Sequence, residues 1–387
     1  MAYSDVVKRE IKRLAQRPLG MFLAFIFPFL MCLIICFIFA GSTPKDLPIG
    51  VYNADNSQFS RLLVRNLNSL SSCKVKYQLT NLQEGETLLT EGKIYGFVVI
   101  PKNFQRDIYR LVQPKLVFYY NNQRILIGGI ISKDISLMAQ SMIVGVDATI
   151  RSKHGLPFKD AIKQANLINV VEHVRSNPYF NYQYFLSLVA FGHILQICIV
   201  FVSVWAIGTE FKYGEAKEWL KEADNSILTA FLGKMTPYLF VILFLFAILY
   251  LIYFGIYQVP YVGNFVLGII ATILFIITCL FAGAIFMSIN GNFRYCLSFS
   301  AFYVAMGFAL SGWTYPVMSM PLIAKIYSAT SPLNYWLQVM IDQSLRKIPI
   351  VYDLKYLMVP LIIILIAFAS FYRLKKLALD ETRWYKI

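Results

Sequence analysis

The sequence predicts an α-helical polytopic membrane protein with six transmembrane helices and a large α/β extracytoplasmic domain inserted between the first and second spans. Three observations predict it. An uncharged apolar run, MFLAFIFPFLMCLIICFIFA, fills residues 21–40. Further apolar runs crowd the second half of the chain, and a long stretch of mixed polarity separates the two regions. Composition agrees: 58% of the residues are hydrophobic and 15% charged, against about 25% charged in ordinary globular chains. The excess apolar surface is expected to face lipid.

Residues 1–20 are expected to form an amphipathic cytoplasmic helix, basic at Lys8, Arg9, Lys12, Arg13 and Arg17. The run 21–40 matches a hydrocarbon core of about 30 Å at about 1.5 Å per residue. It exceeds the roughly 7–15 apolar residues of a cleaved signal peptide, and Gly41-Ser42-Thr43-Pro44 is a weak cleavage site, so it is read as a retained first span.

Residues 41–183 read as alternating strands and helices. Leu47 to Asn53 is a strand, and Ser57 caps a helix whose Phe59, Leu62, Leu63, Leu67 and Leu70 share one face. Val75, Tyr77 and Leu79 alternate as a strand. A short helix from Leu82, the strand Ile94 to Ile100, a helix through Phe104 and Tyr109, and the strand Lys115 to Tyr120 follow. This alternation predicts a partly parallel sheet. Ile125 to Ala148 is apolar, but Lys133 and Asp134 at its middle would each cost about 2.5–3.5 kcal/mol at a bilayer centre, so it is assigned to the domain as a long helix. A further helix is expected from Phe158 to Val174.

Residues 184–372 are expected to hold five spans, at 184–208, 235–257, 261–289, 295–313 and 356–372, before a cytoplasmic tail at 373–387. Lys212, Lys217, Lys221, Lys234, Arg294, Arg373, Lys375, Lys376, Arg383 and Lys386 join the amino-terminal basic residues on one predicted side, against Lys325, Arg346, Lys347 and Lys355 in the short loops of the other. By the positive-inside rule both termini are cytoplasmic and residues 41–183 lie outside.

The formal charge of +15 gathers beside the spans, where lipid head groups explain it, and nucleic acid is not expected as a partner. Of six cysteines, all but Cys73 fall in or beside apolar spans, which excludes a disulfide framework and a metal cluster. His154 and His173 stand apart from any paired carboxylate or cysteine, and no Gly-x-Ser-x-Gly elbow is present, so no catalytic or metal site is expected. Gly92-Lys93 lacks the spacing and the following hydroxyl of a phosphate-cradling loop. The chain is therefore not expected to be an enzyme or to bind a cofactor directly.

Residues 209–224 alternate in charge through Glu210, Lys212, Glu215, Lys217, Glu218, Lys221 and Glu222, while Phe211, Ala216, Trp219 and Leu220 would gather on one helical side. An amphipathic helix here could press that apolar side into a groove on a partner or rest on lipid.

This layout resembles the type-2 permease subunits of ATP-binding-cassette exporters, and the resemblance covers nearly the whole chain. Glu210, Gly214 and Gly233-Lys234 match the family's Glu-x-x-x-Gly-Thr core and the Gly-Lys before its third span, although Glu215 replaces the usual threonine. LPIGVYNADNSQFSRLL resembles the opening of the family's outer domain. SGWTYPVMSMPLIAKIYSATSPLNYW resembles its re-entrant gate, here residues 312–335, with Gly312, Pro316, Pro321 and Pro332 at the defining positions. The resemblance implies a coupling helix at 209–224, with Glu210, Gly214, Glu215, Lys217, Glu218, Trp219, Leu220, Arg9 and Arg13 as coupling residues.

It also implies a homodimer, or a heterodimer with a related permease, in a bacterial inner membrane. ABC ATPase subunits would supply the ATP and magnesium, a periplasmic adaptor could join, and the cargo would be a hydrophobic or amphipathic compound. His193 and Gln196, one turn apart in an apolar span, are candidates for the substrate path or for hydrogen bonding between helices. The competing class is a non-transporting receptor or assembly scaffold whose extracytoplasmic domain binds a ligand or adaptor.

Overall fold

The computed structural model describes residues 2–384 except 42, 111, 113–114, 154–156, 158, 161–175 and 178–180. His154, His173 and nearly all of the helix expected at 158–174 lie outside the described residues. In chain order the elements are α1 (Ala2–Gln16), α2 (Leu19–Ile38), β1 (Leu47–Asn53), α3 (Gln58–Asn68), β2 (Cys73–Leu79), α4 (Leu82–Thr90) and β3 (Gly96–Ile100). Then come α5 (Phe104–Tyr109), β4 (Val117–Tyr120), α6 (Ile125–Lys153), α7 (Leu188–Lys212), α8 (Ala216–Glu222), α9 (Ile227–Ile256) and α10 (Phe265–Asn290). The last four are α11 (Phe293–Ala305), α12 (Leu322–Thr330), α13 (Pro332–Ile341) and α14 (Ile350–Leu379). The chain divides into two units, one taking Met1–Ala40 and Asn181–Ile387, the other Gly41–Val174.

The second unit is an α/β domain with sheet order β2-β1-β3-β4. β1 runs parallel to β2 and β3, and β4 pairs antiparallel with β3. At the end of β1 the Asn53 Oδ1 accepts from the backbone N–H of Asp55 and Asn56, turning the chain so that the Ser57 side chain can cap α3 by accepting from Ser60 N–H. Leu63 and Leu67 of α3 and Ile131 and Ile135 of α6 pack with Ile49, Val51 and Val98 of the sheet in one core.

The first unit is a helical bundle. α7 and α10 bury 67% and 61% of their most apolar stretches, against 22%, 28% and 17% for α2, α9 and α14, so α7 and α10 form its interior. Hydrogen bonds cross between these helices: Ser203 Oγ donates to Leu280 O at 2.6 Å, and Trp336 Nε1 of α13 donates to Thr272 Oγ1 at 2.9 Å. Such bonds hold helices together where lipid removes the hydrophobic contrast between them.

Six described helices are long and apolar enough to cross a membrane, but the membership differs from the sequence expectation. The segment 295–313 does not form a full span: α11 has 13 residues, about 20 Å of helix, and the chain then breaks into turns. Gly312 sits at φ +82, open to glycine and strained for other residues, and Pro316 follows in extended backbone. In its place the sixth long apolar helix is α6, at Ile125–Thr149. Its Ile131 and Ile135 are buried in the α/β core, which fits a domain helix.

Candidate functional site

A cluster of ion pairs lies where α1 meets the end of α7, α8 and the start of α9. α1 buries two residues, Val6 and Glu10, one turn apart on one face. Val6 sits so close to Gly233 of α9 that a β-carbon there would lie 2.9 Å from it, so only glycine admits α1 at this distance. Tyr3 Oη and Thr236 Oγ1 are hydrogen-bonded at 2.7 Å one turn further along.

Glu10 enters this contact already paired. The Lys234 ammonium donates to its Oε2 at 2.5 Å and the Tyr238 hydroxyl to its Oε1 at 2.7 Å. Lys234 also donates to Glu210 Oε1 at 2.5 Å. Glu210, fully buried on the last turn of α7, accepts from Arg9 Nη2 at 3.0 Å and pairs with Arg13. Arg13 and Arg17 reach Glu215 at 3.0 and 3.3 Å, and Arg9 reaches Glu222 at 3.5 Å. Arg17 also lies over the Tyr213 ring at 4.1 Å.

The network thus joins four carboxylates, Glu10, Glu210, Glu215 and Glu222, to four cations, Arg9, Arg13, Arg17 and Lys234. Burial alone would raise the Glu10 carboxyl, but the Lys234 ammonium and the Tyr238 hydroxyl hold it below its ordinary range. Removing one partner from such a buried set typically costs about 3–5 kcal/mol, because the remaining charge is stranded.

Gly214, at φ +71, makes the turn between α7 and α8. This turn corrects the expectation of one amphipathic helix across 209–224: Phe211 belongs to α7, and Ala216, Trp219 and Leu220 belong to α8. All four are buried inside this chain, so they form neither a face for a partner groove nor a lipid-resting face. Trp219 instead ties α8 to α9, its Nε1 donating to Ala230 O at 3.1 Å while Lys234 lies 5.6 Å from its ring. The outward face of α8 is polar. Lys217 and Glu218 are exposed, and Lys217 pairs with the exposed Glu381 at 2.8 Å.

The prolines of residues 312–335 organise two short helices. Pro321 precedes α12 and Pro332 is the first residue of α13. α13 is largely buried in the bundle, whereas Leu322 and Ile323 of α12 are 73% and 84% exposed. Tyr327 and Tyr303 stitch α12 to α11 by hydrogen bonds to Tyr303 O at 2.6 Å and Thr330 O at 2.9 Å.

His193 and Gln196 of α7 come together against the turn after α11, where a β-carbon on Gly307 would lie 3.0 Å from His193 Nδ1 and 3.2 Å from Gln196 Oε1. Among the described residues the fully buried Gln196 amide and His193 Nδ1 have no hydrogen-bond partner.

Glu10 and Tyr238 are members of the junction that sequence reasoning did not name, and Lys234 was named there only for the Gly-Lys pair and its charge, without a partner. One signal was available for Glu10: it follows Val6 by four residues in a mainly basic helix, a spacing that puts a carboxylate on the same face as Val6.

The sequence model of the ABC-2 family transporter proteins matches residues 19–373. No curated protein and no solved structure matches the chain. The match takes in both the α/β domain and the helical bundle and covers well over half of the chain, which therefore belongs to the ABC-2 transporter family and is an ABC permease subunit.

Proposed function

We propose that this permease works as half of a dimer, homomeric or paired with a related permease, docked on separate ABC ATPase subunits that bind ATP and magnesium. It exports a hydrophobic or amphipathic compound across a bacterial inner membrane, with both termini and the α1–α8 junction on the cytoplasmic side. The observation that carries this reading is the charge-balanced network binding α1, α7, α8 and α9. A helix that receives a push is useful only if it is fixed to the helices that must move. The network and the Trp219 hydrogen bond fix α8 in that way.

In this reading Lys217 and Glu218 meet the ATPase, while Glu210, Glu215, Trp219, Leu220, Arg9 and Arg13 hold the receiving helix in place. ATP-driven closure of the partner shifts the junction as a body, and the helices carry the displacement to the segment of α12 and α13, where cargo leaves. Energy enters through contacts that differ between the partner's two states. His193 and Gln196, with unmet hydrogen-bonding capacity inside the bundle, face the cargo.

The test is copurification with candidate ABC ATPase subunits and measurement of ATP hydrolysis in lipid nanodiscs. Trp219→Ala is expected to lose stimulated hydrolysis because α8 is no longer anchored, while the protein still reaches the membrane. Unchanged stimulation in Trp219→Ala would refute the coupling assignment.

A further inference from the structure

Between the turn after α11 and helices α12, α13 and α14 lies a recess of about 420 Å³, within the range of small-ligand pockets. Its wall carries two cations, Lys325 and Arg346, and no carboxylate. Arg346 is held rather than loose. Its Nη1 donates to Asp342 Oδ1 at 3.0 Å and its guanidinium lies 5.4 Å from the Trp313 ring centroid. The other oxygen of Asp342 accepts from Gln338 Nε2 at 2.7 Å, so one buried carboxylate fixes two wall residues.

This arrangement leaves Nε and Nη2 of Arg346 for a ligand, and Lys325 is exposed with no ion-pair partner among the described residues. Asn334 adds a different requirement. Its amide nitrogen is taken up by Ser328 O at 2.6 Å and Ser328 Oγ at 2.7 Å, while its buried Oδ1 has no donor. A fitting ligand supplies an anion to the two cations and a hydroxyl to Asn334.

We propose that this recess binds a phosphate group bearing a neighbouring hydroxyl, the chemistry of a phosphoglycerol head group. It rests on the exporter reading above only in making that group part of the cargo or of a lipid bound at the exit. A planar, pre-positioned guanidinium with two free donors suits phosphate oxygens, and a second cation at the rim adds attraction. The source is either a lipid head group or a soluble phosphate ester.

The experiment uses the purified full chain without any ATPase, so its result stands apart from the coupling test. Native mass spectrometry follows titration with phosphatidylglycerol and with phosphatidylcholine. Wild-type protein is expected to retain phosphatidylglycerol preferentially. Arg346→Gln, which can still donate to Asp342, is expected to weaken that retention by about tenfold, as loss of a charged hydrogen bond does. Lys325→Gln, at an exposed and unpaired position that folding does not need, is expected to weaken it by about threefold. Lys376→Gln removes an equal, exposed charge at the far end of α14 from the recess and should change nothing. Displacement of the lipid by glycerol 1-phosphate at matching concentration assigns the site to a soluble ester; lipid binding that resists it assigns the site to head groups. No preference for phosphatidylglycerol, or an equal loss in Lys376→Gln, overturns the proposal.

Discussion

At the junction of α1, α8 and α9 buried carboxylates and cations balance, whereas around the recess beside α12 and α13 a cation stands open and another keeps free donors. Both regions hold charge next to a membrane bundle, and they use it oppositely. Where the charges satisfy one another, their geometry is fixed and little attraction is left for a ligand. Where they are oriented but incompletely paired, attraction is left for something outside the chain. The first pattern belongs to a part that transmits force and the second to a part that binds.

The strongest way to break this contrast is at the centre of the junction. Glu210→Ala takes one carboxylate from each of Arg9, Arg13 and Lys234 and leaves the buried set with excess positive charge, and a loss of about 3–5 kcal/mol is expected. Thermal unfolding in detergent measures it. Glu210→Gln, which keeps shape and loses charge, should fall between wild type and Glu210→Ala. A loss under about 1 kcal/mol for Glu210→Ala, the value of an exposed ion pair, would erase the distinction between the regions.

At the other region the comparable backbone test is Gly312→Val. The residue sits at φ +82, and a β-carbon would lie 2.7 Å from Val317 Cγ2. Strain of about 1–3 kcal/mol is expected, read as a lower unfolding midpoint together with weaker phosphatidylglycerol retention. A lower midpoint with retention intact would separate the turn from the recess.

Acid sharpens the contrast further. The Glu10 carboxyl is held below its ordinary 4.5, so its contribution is fully present above that value and is lost as pH falls through the lower folded one. Stability is therefore expected to drop on acidification below the ordinary carboxylate range, and Glu10→Gln should flatten that dependence. An equally steep drop in Glu10→Gln would locate the acid sensitivity elsewhere.

The two regions also differ in how far the sequence revealed them. Strand and cap positions in the α/β domain were readable because alternation and Ser57 are local signals. Helix ends in the bundle were less so: α14 begins at Ile350 and ends at Leu379, well past the apolar stretch 356–372, because hydropathy marks the greasy length rather than the hydrogen-bonded length. Trp219 was expected on an apolar side open to a partner or to lipid, and the structure covers that side with α9. An apolar stripe on a short helix reads the same whether it is covered by a partner or by the chain's own α9. Lys234 carried no local sign of burial, since its partners Glu10 and Glu210 are 224 and 24 residues away.

The smallest structural effect separates contact from support at α8. Lys217→Ala and Glu218→Ala remove exposed side chains whose one ion pair among the described residues, Lys217 with Glu381, is itself exposed, so stability is expected to change by no more than about 0.5 kcal/mol. Yet if this face meets the ATPase, each substitution should cut stimulated ATP hydrolysis severalfold while the unfolding midpoint holds. Trp219→Ala should lower both together, because the buried ring supports the helix instead of touching the partner. Parallel loss of hydrolysis and midpoint in Lys217→Ala and Glu218→Ala would make the polar face structural. Full hydrolysis with an unchanged midpoint would move the docking surface off α8.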